Sequence, residues 1–270
     1  MTLDEFRGFG SPLTARGLAS PYGPRPWRMA GRNLTIWFRA PAGEVERHVP
    51  APLTVPPDAL CRVRFYELVH NAGLDYDGLQ NASLSAQDPA RGYFHEAVLA
   101  VPVAYHGDVG DYSVHLYSED SDYICWARET VGWPVKSGTI TISLPWPTKP
   151  LEPGTRIQAI LERHGRRLIT ASLTLTEPLP RDQYPRAAGP TFTVKVIPSP
   201  VEGQKALRQL VVVRPQLPSM TDIWRAEATL SLDEGQSDEL HFFVPFEIVR
   251  AEYCPSIDLT MPYGEILAEL

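Results

Sequence analysis

The sequence predicts an α+β protein that is mostly β, with one large antiparallel or mixed sheet that curls toward closure and a few short helices. Segments rich in β-branched and aromatic residues recur at short intervals, whereas helical patterns are few. A sheet of many strands must protect its edges, and a curled sheet can enclose a ligand cavity. No linker, repeat or low-complexity tract interrupts the chain, so we expect a single domain over residues 1–270.

Strand patterns run through most of the chain. Apolar and polar residues alternate in Arg167–Thr176, which indicates one solvated face, and Ala97–Val103 is almost wholly apolar, which indicates cover on both faces. The predicted strands are Leu34–Arg39, Cys61–Val69, Glu96–Tyr105, Tyr112–Tyr117, Thr139–Leu144, Arg156–Leu161, Arg167–Thr176, Thr191–Ile197, Leu207–Val213, Ala226–Leu232 and Leu240–Val249.

Helical signals occur in three places. Gly43–Val49 predicts a short helix that Pro50 ends. Ser121–Val131 predicts a longer one, because Asp120 or Ser121 can cap it and its apolar residues fall on one stripe. Tyr263–Leu270 predicts a last short helix.

The stretch His70–Gly92 differs from the rest of the chain, being rich in Asn, Gly, Asp and Ser and weakly periodic. Long irregular connections in compact domains are often lids or binding loops. A lid or insertion loop and a disordered surface excursion both remain open for this stretch.

Charge and cysteine content exclude several classes of protein. The net charge of −7 is spread along the chain without a basic cluster, so we expect no nucleic-acid partner. No apolar run is long enough to span a bilayer, and the N-terminus has no secretory pattern, so we expect neither membrane association nor export. Three widely spaced cysteines fit a reducing compartment, and we expect a cytoplasmic protein with three buried thiols.

Familiar motif chemistry is missing from the sequence. The seven histidines have no zinc-ligand spacing, and there is neither a phosphate-binding loop nor a serine-hydrolase elbow. We therefore expect no metal and no cofactor. Of the 25 lysine and arginine residues only four are lysines, namely Lys136, Lys149, Lys195 and Lys205. Lys136 follows an apolar run, which would favour a neutral nucleophilic amine, although a surface lysine paired with a carboxylate is the alternative.

The segment 107–138 carries a resemblance. It contains Gly-Asp-Tyr, an acidic helix start, Arg-Glu at the helix end and then Gly132-Trp133-Pro134-Val135-Lys136. This order resembles the core of the acetoacetate decarboxylase superfamily, in which an aromatic residue and a proline precede two lysines. Further matches are Ser11–Thr14, Gly31–Asn33, Ile36–Arg39, His48–Leu53, Val63–Phe65 and Val194–Pro198.

The resemblance implies a fold and a chemistry. The fold is a barrel-like sheet around an apolar pocket, in a homo-oligomer that acts on a small molecule. In the family a lysine forms a Schiff base with a β-keto acid, and the imine accepts the electrons released with carbon dioxide. The supporting arginine and glutamate match Arg32, a carboxylate or enolate holder, and Glu96, a proton-transfer group with a raised pKa. The alternative is that Arg32 and Glu96 form a buried ion pair.

Three departures stand beside the resemblance. Val135 occupies the position of the Schiff-base lysine, and Lys136 matches the second lysine. In an extended segment neighbouring side chains point to opposite faces, so Lys136 would face away from the pocket that Val135 lines. Tyr66 stands where the family has another glutamate, with Glu67 on the other face, and the connection from Tyr66 to Glu96 is longer than usual.

Three functional interpretations follow. The first is a biosynthetic enzyme that performs non-covalent acid–base chemistry, namely cyclisation, dehydration or isomerisation, on a β-dicarbonyl or polyketide-like substrate, with Tyr66 as a donor to the enolate. The second is a Schiff-base lyase, a decarboxylase or aldolase–dehydratase, in which a bulge turns Lys136 into the pocket. The third is a non-catalytic binding protein. The expected substrate-binding residues are Val135, Trp133, Tyr112 and Arg128.

Overall fold

One large sheet forms the framework of the protein, and the mostly β prediction is confirmed. The computed structural model describes residues 10–16, 19, 26–70, 92–143, 145, 149–184, 188–244 and 246–270. The strands are β1 (Trp27–Arg39), β2 (Cys61–His70), β3 (Tyr93–Tyr105), β4 (Asp108–Ser118), β5 (Val135–Ser137), β6 (Thr139–Ile142), β7 (Arg156–Arg163), β8 (Arg166–Pro178), β9 (Thr191–Ile197), β10 (Leu207–Val213), β11 (Gln216–Thr221), β12 (Trp224–Leu232), β13 (Glu247–Met261) and β14 (Glu265–Glu269).

The sheet is mixed, and it is open within the described residues. Its strands follow the order β14-β10-β9-β4-β3-β2-β1-β13-β12-β8-β7-β6, with β11 beside β13 and β5 beside β4. Most neighbours are antiparallel, but β4 runs parallel to both β5 and β9. A helical crossover between β4 and β5 brings the chain back in the same direction, which produces the parallel pair. The expected barrel-like closure is wrong, because the sheet is open. Its edge strands β14 and β6 have only five and four residues, and such short edges expose few unpaired backbone groups.

Two short α-helices accompany the sheet, α1 (Ala42–Arg47) and α2 (Ser121–Trp126). Asp120 caps α2, as the sequence predicts, because its carboxylate accepts a hydrogen bond from the Tyr123 amide. A π-helix, Ala127–Val131, continues α2 and ends where the Gly132 amide donates to the Ala127 carbonyl at 2.8 Å. Short 3₁₀ turns lie at Arg181–Gln183 and Leu240–Phe243.

Two elements differ from the sequence prediction, and a third predicted segment lies largely outside the described residues. Tyr263–Leu270 is not a helix, because Glu265–Glu269 pairs with β10 as an edge strand. Leu240–Val249 is not one strand, because it divides between a 3₁₀ turn and the start of β13. The proposed lid His70–Gly92 lies outside the described residues except at its two ends.

Alternation along the central strands separates two apolar clusters, one on each face of the sheet. The main cluster contains Leu34, Phe65, Leu99 and Tyr117, among others, and the cavity-side cluster contains Trp27, Leu68, Val98, Leu116, Trp126, Trp133 and Val135, among others. Since β3 supplies residues to both clusters, its prediction as a strand covered on both faces is confirmed. Among the described residues, no helix is long and apolar enough to span a membrane.

Candidate active site

A cavity of about 490 Å³ opens beside the cavity-side cluster. Cavities of this size bind small organic molecules. Its described wall comes from one face of β1, β2, β3, β4 and β13, together with residues of β11 and the helical crossover. The period of two along each strand brings every second residue to this wall.

Aromatic side chains form much of the wall. Among the described residues, four tryptophans line it, namely Trp27, Trp37, Trp126 and Trp133. The ring of Trp126 lies 4.5 Å from that of Trp27 and 5.6 Å from that of Trp133, centroid to centroid. Trp37 stacks with the Arg250 guanidinium at 4.0 Å. Such a wall suits a flat, apolar ligand.

Glu96 and Tyr66 are direct cross-strand neighbours on this wall. The β2–β3 register pairs them, and both line the cavity. Tyr123 from α2 donates a short hydrogen bond to Glu96 Oε1, and Glu96 is 9% exposed. Burial raises the pKa of Tyr66, with the Glu96 charge acting in the same direction against Arg64. Tyr66 is therefore a neutral phenol near pH 7, able to donate a hydrogen bond.

Two arginines share one aspartate further along the same wall. Arg62 Nη2 lies 2.7 Å from Asp111 Oδ1, and Arg64 Nη1 lies 3.1 Å from Asp111 Oδ2. Burial lowers the pKa of Arg62 to about 10, and the neighbouring Arg64 charge acts in the same direction. Burial also opposes the charge on Arg64, but Tyr66 and Asp111 outweigh it and raise the pKa of Arg64.

The pairing of Val135–Ser137 with β4 determines the faces on which Val135 and Lys136 lie. β5 pairs with β4 so that Val135 lies opposite Leu116 and Lys136 opposite Tyr117. Leu116 lines the cavity, whereas Tyr117 belongs to the main cluster. Val135 is 1% exposed and packs in the cavity-side cluster.

Lys136 makes polar contacts on the opposite face of the sheet from the cavity. Its Nζ donates to the Ser237 carbonyl at 2.5 Å and to Asp238 Oδ1 at 3.0 Å. Asp238 is 3% exposed and also accepts hydrogen bonds from Tyr117 and Arg163. The Lys136 amine is thus engaged in a largely buried ion-pair network, which matches the alternative of a paired lysine.

The remaining lysines are also accounted for. All four lysines lie in the described part of the chain, and none of them lines the cavity. Lys195 Nζ donates to the Thr130 carbonyl at 3.1 Å, and burial lowers its pKa. Lys149 and Lys205 are exposed.

Three further predicted site residues lie away from the cavity wall. Arg32 pairs with Glu67 at 3.2 Å, not with Glu96, because β1 and β2 place Arg32 and Glu67 opposite each other on the main-cluster face. Tyr112 packs against the main cluster. Arg128 is exposed and donates to the Val135 carbonyl at 3.1 Å, so it holds the segment after the π-helix in place.

Sequence reasoning missed Arg62, Arg64, Asp111 and Tyr123. The two arginines alternate with Tyr66 along one strand, and this spacing of two already placed them on its face. Asp111 and Tyr123 meet the wall only through tertiary pairing, which no local pattern reports. Among the described residues, no three His, Cys, Asp or Glu side chains come together in a metal-binding arrangement. Cys125 is exposed, which corrects the expectation of three buried thiols.

Comparison with known proteins places this site in context. The family model described as acetoacetate decarboxylase (ADC) matches residues 11–270. The acetoacetate decarboxylase of Burkholderia cenocepacia is 27% identical over 264 residues, which cover 97% of this chain and 94% of that relative. Among solved structures, an acetoacetate decarboxylase-like enzyme from Sphingomonas wittichii RW1 superposes with a TM-score of 0.83 at 22% identity, covering 98% of this chain and 99% of that one. The enduracididine biosynthesis enzyme MppR superposes with a TM-score of 0.82 at 21% identity, covering 97% of this chain and 94% of that one.

Proposed function

The chain belongs to the acetoacetate decarboxylase family, and we propose that within it this protein is an enzyme of non-covalent acid–base chemistry on a carbonyl compound. The substrate class is a β-dicarbonyl or polyketide-like molecule, and the reaction is a cyclisation, dehydration or isomerisation. Each of these reactions passes through loss of a proton next to a carbonyl group.

The placement of the four lysines is the observation that carries this proposal. A Schiff base needs a neutral amine next to the substrate carbonyl. The resemblance matches Val135 to the family's nucleophile position, and the Lys136 amine is bound to Asp238 on the other face of the sheet. The two side chains would have to exchange faces before Lys136 could serve, which moves a charged group out of its ion pair and costs several kcal/mol.

Glu96 and Tyr66 are suited to the proton transfer. Glu96 takes a proton from the carbon next to the carbonyl, the C–H bonding pair forms the new C=C bond, and the C=O π pair moves to oxygen. Tyr66 donates its hydrogen bond to that oxygen as the negative charge develops. Arg64 reinforces the phenol as a donor because it is a hydrogen-bond partner of Tyr66. Return of the proton from Glu96 completes an isomerisation, and attack by the enolate carbon on a second carbonyl completes a cyclisation.

Deuterium exchange tests the first step without knowledge of the natural substrate. The probe is 4-oxo-4-phenylbutanoate, an aryl ketone whose protons next to the carbonyl exchange slowly in buffer. We expect the protein to accelerate their exchange in D₂O, followed by proton NMR. Glu96→Gln should lower the exchange rate by at least about 100-fold, and Tyr66→Phe by about 10- to 100-fold.

The control for this experiment is Glu162→Gln, which alters an exposed carboxylate paired with Arg167 on another part of the sheet. It should exchange the probe as fast as the unmodified protein. An unchanged exchange rate in folded Glu96→Gln, or no acceleration by the unmodified protein, would contradict the assignment of Glu96 as the base.

A further inference from the structure

The charges on the cavity wall do not cancel around Asp111. Two guanidinium groups, those of Arg62 and Arg64, face one carboxylate, and the three side chains are between 12% and 23% exposed. A partly buried cation without a matching anion is costly, since desolvation weakens its contact with water. The described wall holds three arginines and three carboxylates in all, since Arg250, Glu96 and Glu252 line it too. Arg62 itself, however, has two arginines, Arg64 and Arg250, and one carboxylate, Asp111, as charged neighbours, and a ligand anion at Arg62 would offset this local excess.

Arg62 is the less satisfied of the two arginines. Its Nε is buried without a hydrogen-bond partner, and Asp111 Oδ1, its ion-pair neighbour, is likewise without an aligned hydrogen bond. Arg64 instead has both Tyr66 and Asp111 as hydrogen-bond partners. A guanidinium offers five N–H donors in a planar fork, which matches a carboxylate with two parallel hydrogen bonds. Arg62 keeps donors available for such a pair.

The remaining wall fixes the body of the ligand. Trp27, Trp126 and Trp133, all largely buried, line the cavity. Two buried polar atoms among them have no partner, the donor Trp133 Nε1 and the acceptor Asn33 Oδ1. Neither atom is exposed to the cavity, so a ligand oxygen could pair with Trp133, or a ligand hydroxyl or N–H with Asn33, only after a small shift of the side chain.

Arg62 and the proton-transfer pair lie at separate places on β2. Arg62 is four residues from Tyr66 on the same face, which is roughly 13 Å along the strand. An anion held by Arg62 and a carbonyl held by Tyr66 therefore belong to different parts of one molecule. Acetoacetate, whose carboxylate and ketone are separated by a single carbon, is too short to present both groups in this way.

We infer that Arg62, with Arg64 and Asp111, forms an anion subsite of the cavity, and that the substrate is an extended carboxylic acid with a flat, ring-bearing body. Its carboxylate pairs with the Arg62 guanidinium, its body lies among the tryptophans, and its reacting carbonyl lies beside Tyr66 and Glu96. This inference rests on the proposed function for the role of the last two residues.

A charged probe and its neutral twin test the subsite by binding alone. The probes are 4-oxo-4-phenylbutanoate and 4-oxo-4-phenylbutanamide, which differ only in carboxylate against amide. Both are shorter than the span from Arg62 to Tyr66, so the carboxylate pairs with Arg62 in one binding mode and the ketone exchanges beside Glu96 in another. A fragment of this size binds in the range of about 1 mM, so ligand-detected NMR titrations to about 10 mM are appropriate. We expect the carboxylate to bind about tenfold more tightly than the amide.

Three variants make the result specific. Arg62→Met should abolish the preference for the carboxylate and leave amide binding unchanged, and Arg62→Lys should restore part of it because the charge returns without the fork. The matched control, Arg167→Met, removes an exposed arginine from β8 and should keep the full preference. Thermal melts report whether each variant is folded. Equal binding of the two probes by the unmodified protein, or a full preference in folded Arg62→Met, would overturn the subsite, as would no binding of the carboxylate up to about 10 mM.

Glu96→Gln separates this inference from the proposed function. The variant should retain the carboxylate preference while losing deuterium exchange. If the preference stands but Glu96→Gln still exchanges the probe, the acid–base assignment is wrong and the subsite remains. If exchange depends on Glu96 but the preference is missing, the subsite is wrong and the acid–base assignment remains.

Discussion

Replacing Lys136 by methionine removes the amine that contacts Asp238 while keeping most of the side chain's length. Asp238 retains Tyr117 and Arg163 as partners, so the carboxylate loses one of its charged hydrogen bonds and does not become unpaired. A hydrogen bond to a charged group contributes about 1.5–3 kcal/mol, and the methionine methyl group offsets part of that loss. We therefore expect Lys136→Met to lower the free energy of unfolding by about 2 kcal/mol, or Tm by about 4 °C in a chain of this length.

Catalysis should be affected little by the same substitution. The deuterium-exchange rate with 4-oxo-4-phenylbutanoate should stay within about threefold of that of the unmodified protein, because Lys136 lies on the face of the sheet opposite to Glu96. The control is Lys205→Met, an exposed lysine whose loss should change neither Tm nor exchange. A Lys136→Met protein that melts normally but has lost exchange would refute the reasoning, since the amine would then be acting on the ligand.

Two further predictions concern stability. Burial lowers the pKa of His115 to about 4, and the Lys136 charge acts in the same direction. As pH falls below about 6.5, His115 is therefore protonated in the unfolded chain before it is protonated in the folded one, and the free energy of unfolding should fall by up to about 3 kcal/mol toward pH 4. Urea titrations of His115→Leu should lack this loss. Gly132→Ala should destabilise clearly more than Gly154→Ala. Both glycines have positive φ, but of the two only Gly132 would place the added Cβ against backbone, 2.4 Å from Lys195 Cα. An equal fall in Tm for the two variants would contradict this.

Much of the fold is legible in the sequence because strand periodicity is local. Thr191–Ile197 and Leu207–Val213 are predicted to the residue, since β-branched runs there end at clear breakers. The two wrong element predictions, Leu240–Val249 and Tyr263–Leu270, lie in the C-terminal part of the chain. Tyr263–Leu270 has residues that suit a helix, and only its pairing with β10 makes it a strand. Whether a sheet closes depends on the meeting of strands far apart in sequence, which local patterns do not report.

The candidate site divides in the same way. Alternation after Pro134 correctly placed Val135 and Lys136 on opposite faces of β5, and Tyr66, which the resemblance matched to a family glutamate, lies on the cavity wall. Arg32 shows the limit of a resemblance, because the family match made it a pocket residue, whereas alternation along β1 brings Asn33 to the cavity and leaves Arg32 opposite Glu67 on the other face. Asp111 is the shared partner of Arg62 and Arg64, but it lies on another strand, so no local sequence pattern predicts the contact.

Borohydride reduction tests the central claim most directly, because it converts any imine between a lysine and a carbonyl compound into a stable amine. The protein is incubated with acetoacetate, and separately with pyruvate, reduced, and its mass is measured intact and after digestion. We predict no added mass, since none of the four lysines lines the cavity. An adduct that maps to Lys136 would contradict the account and would establish the Schiff-base lyase in its place.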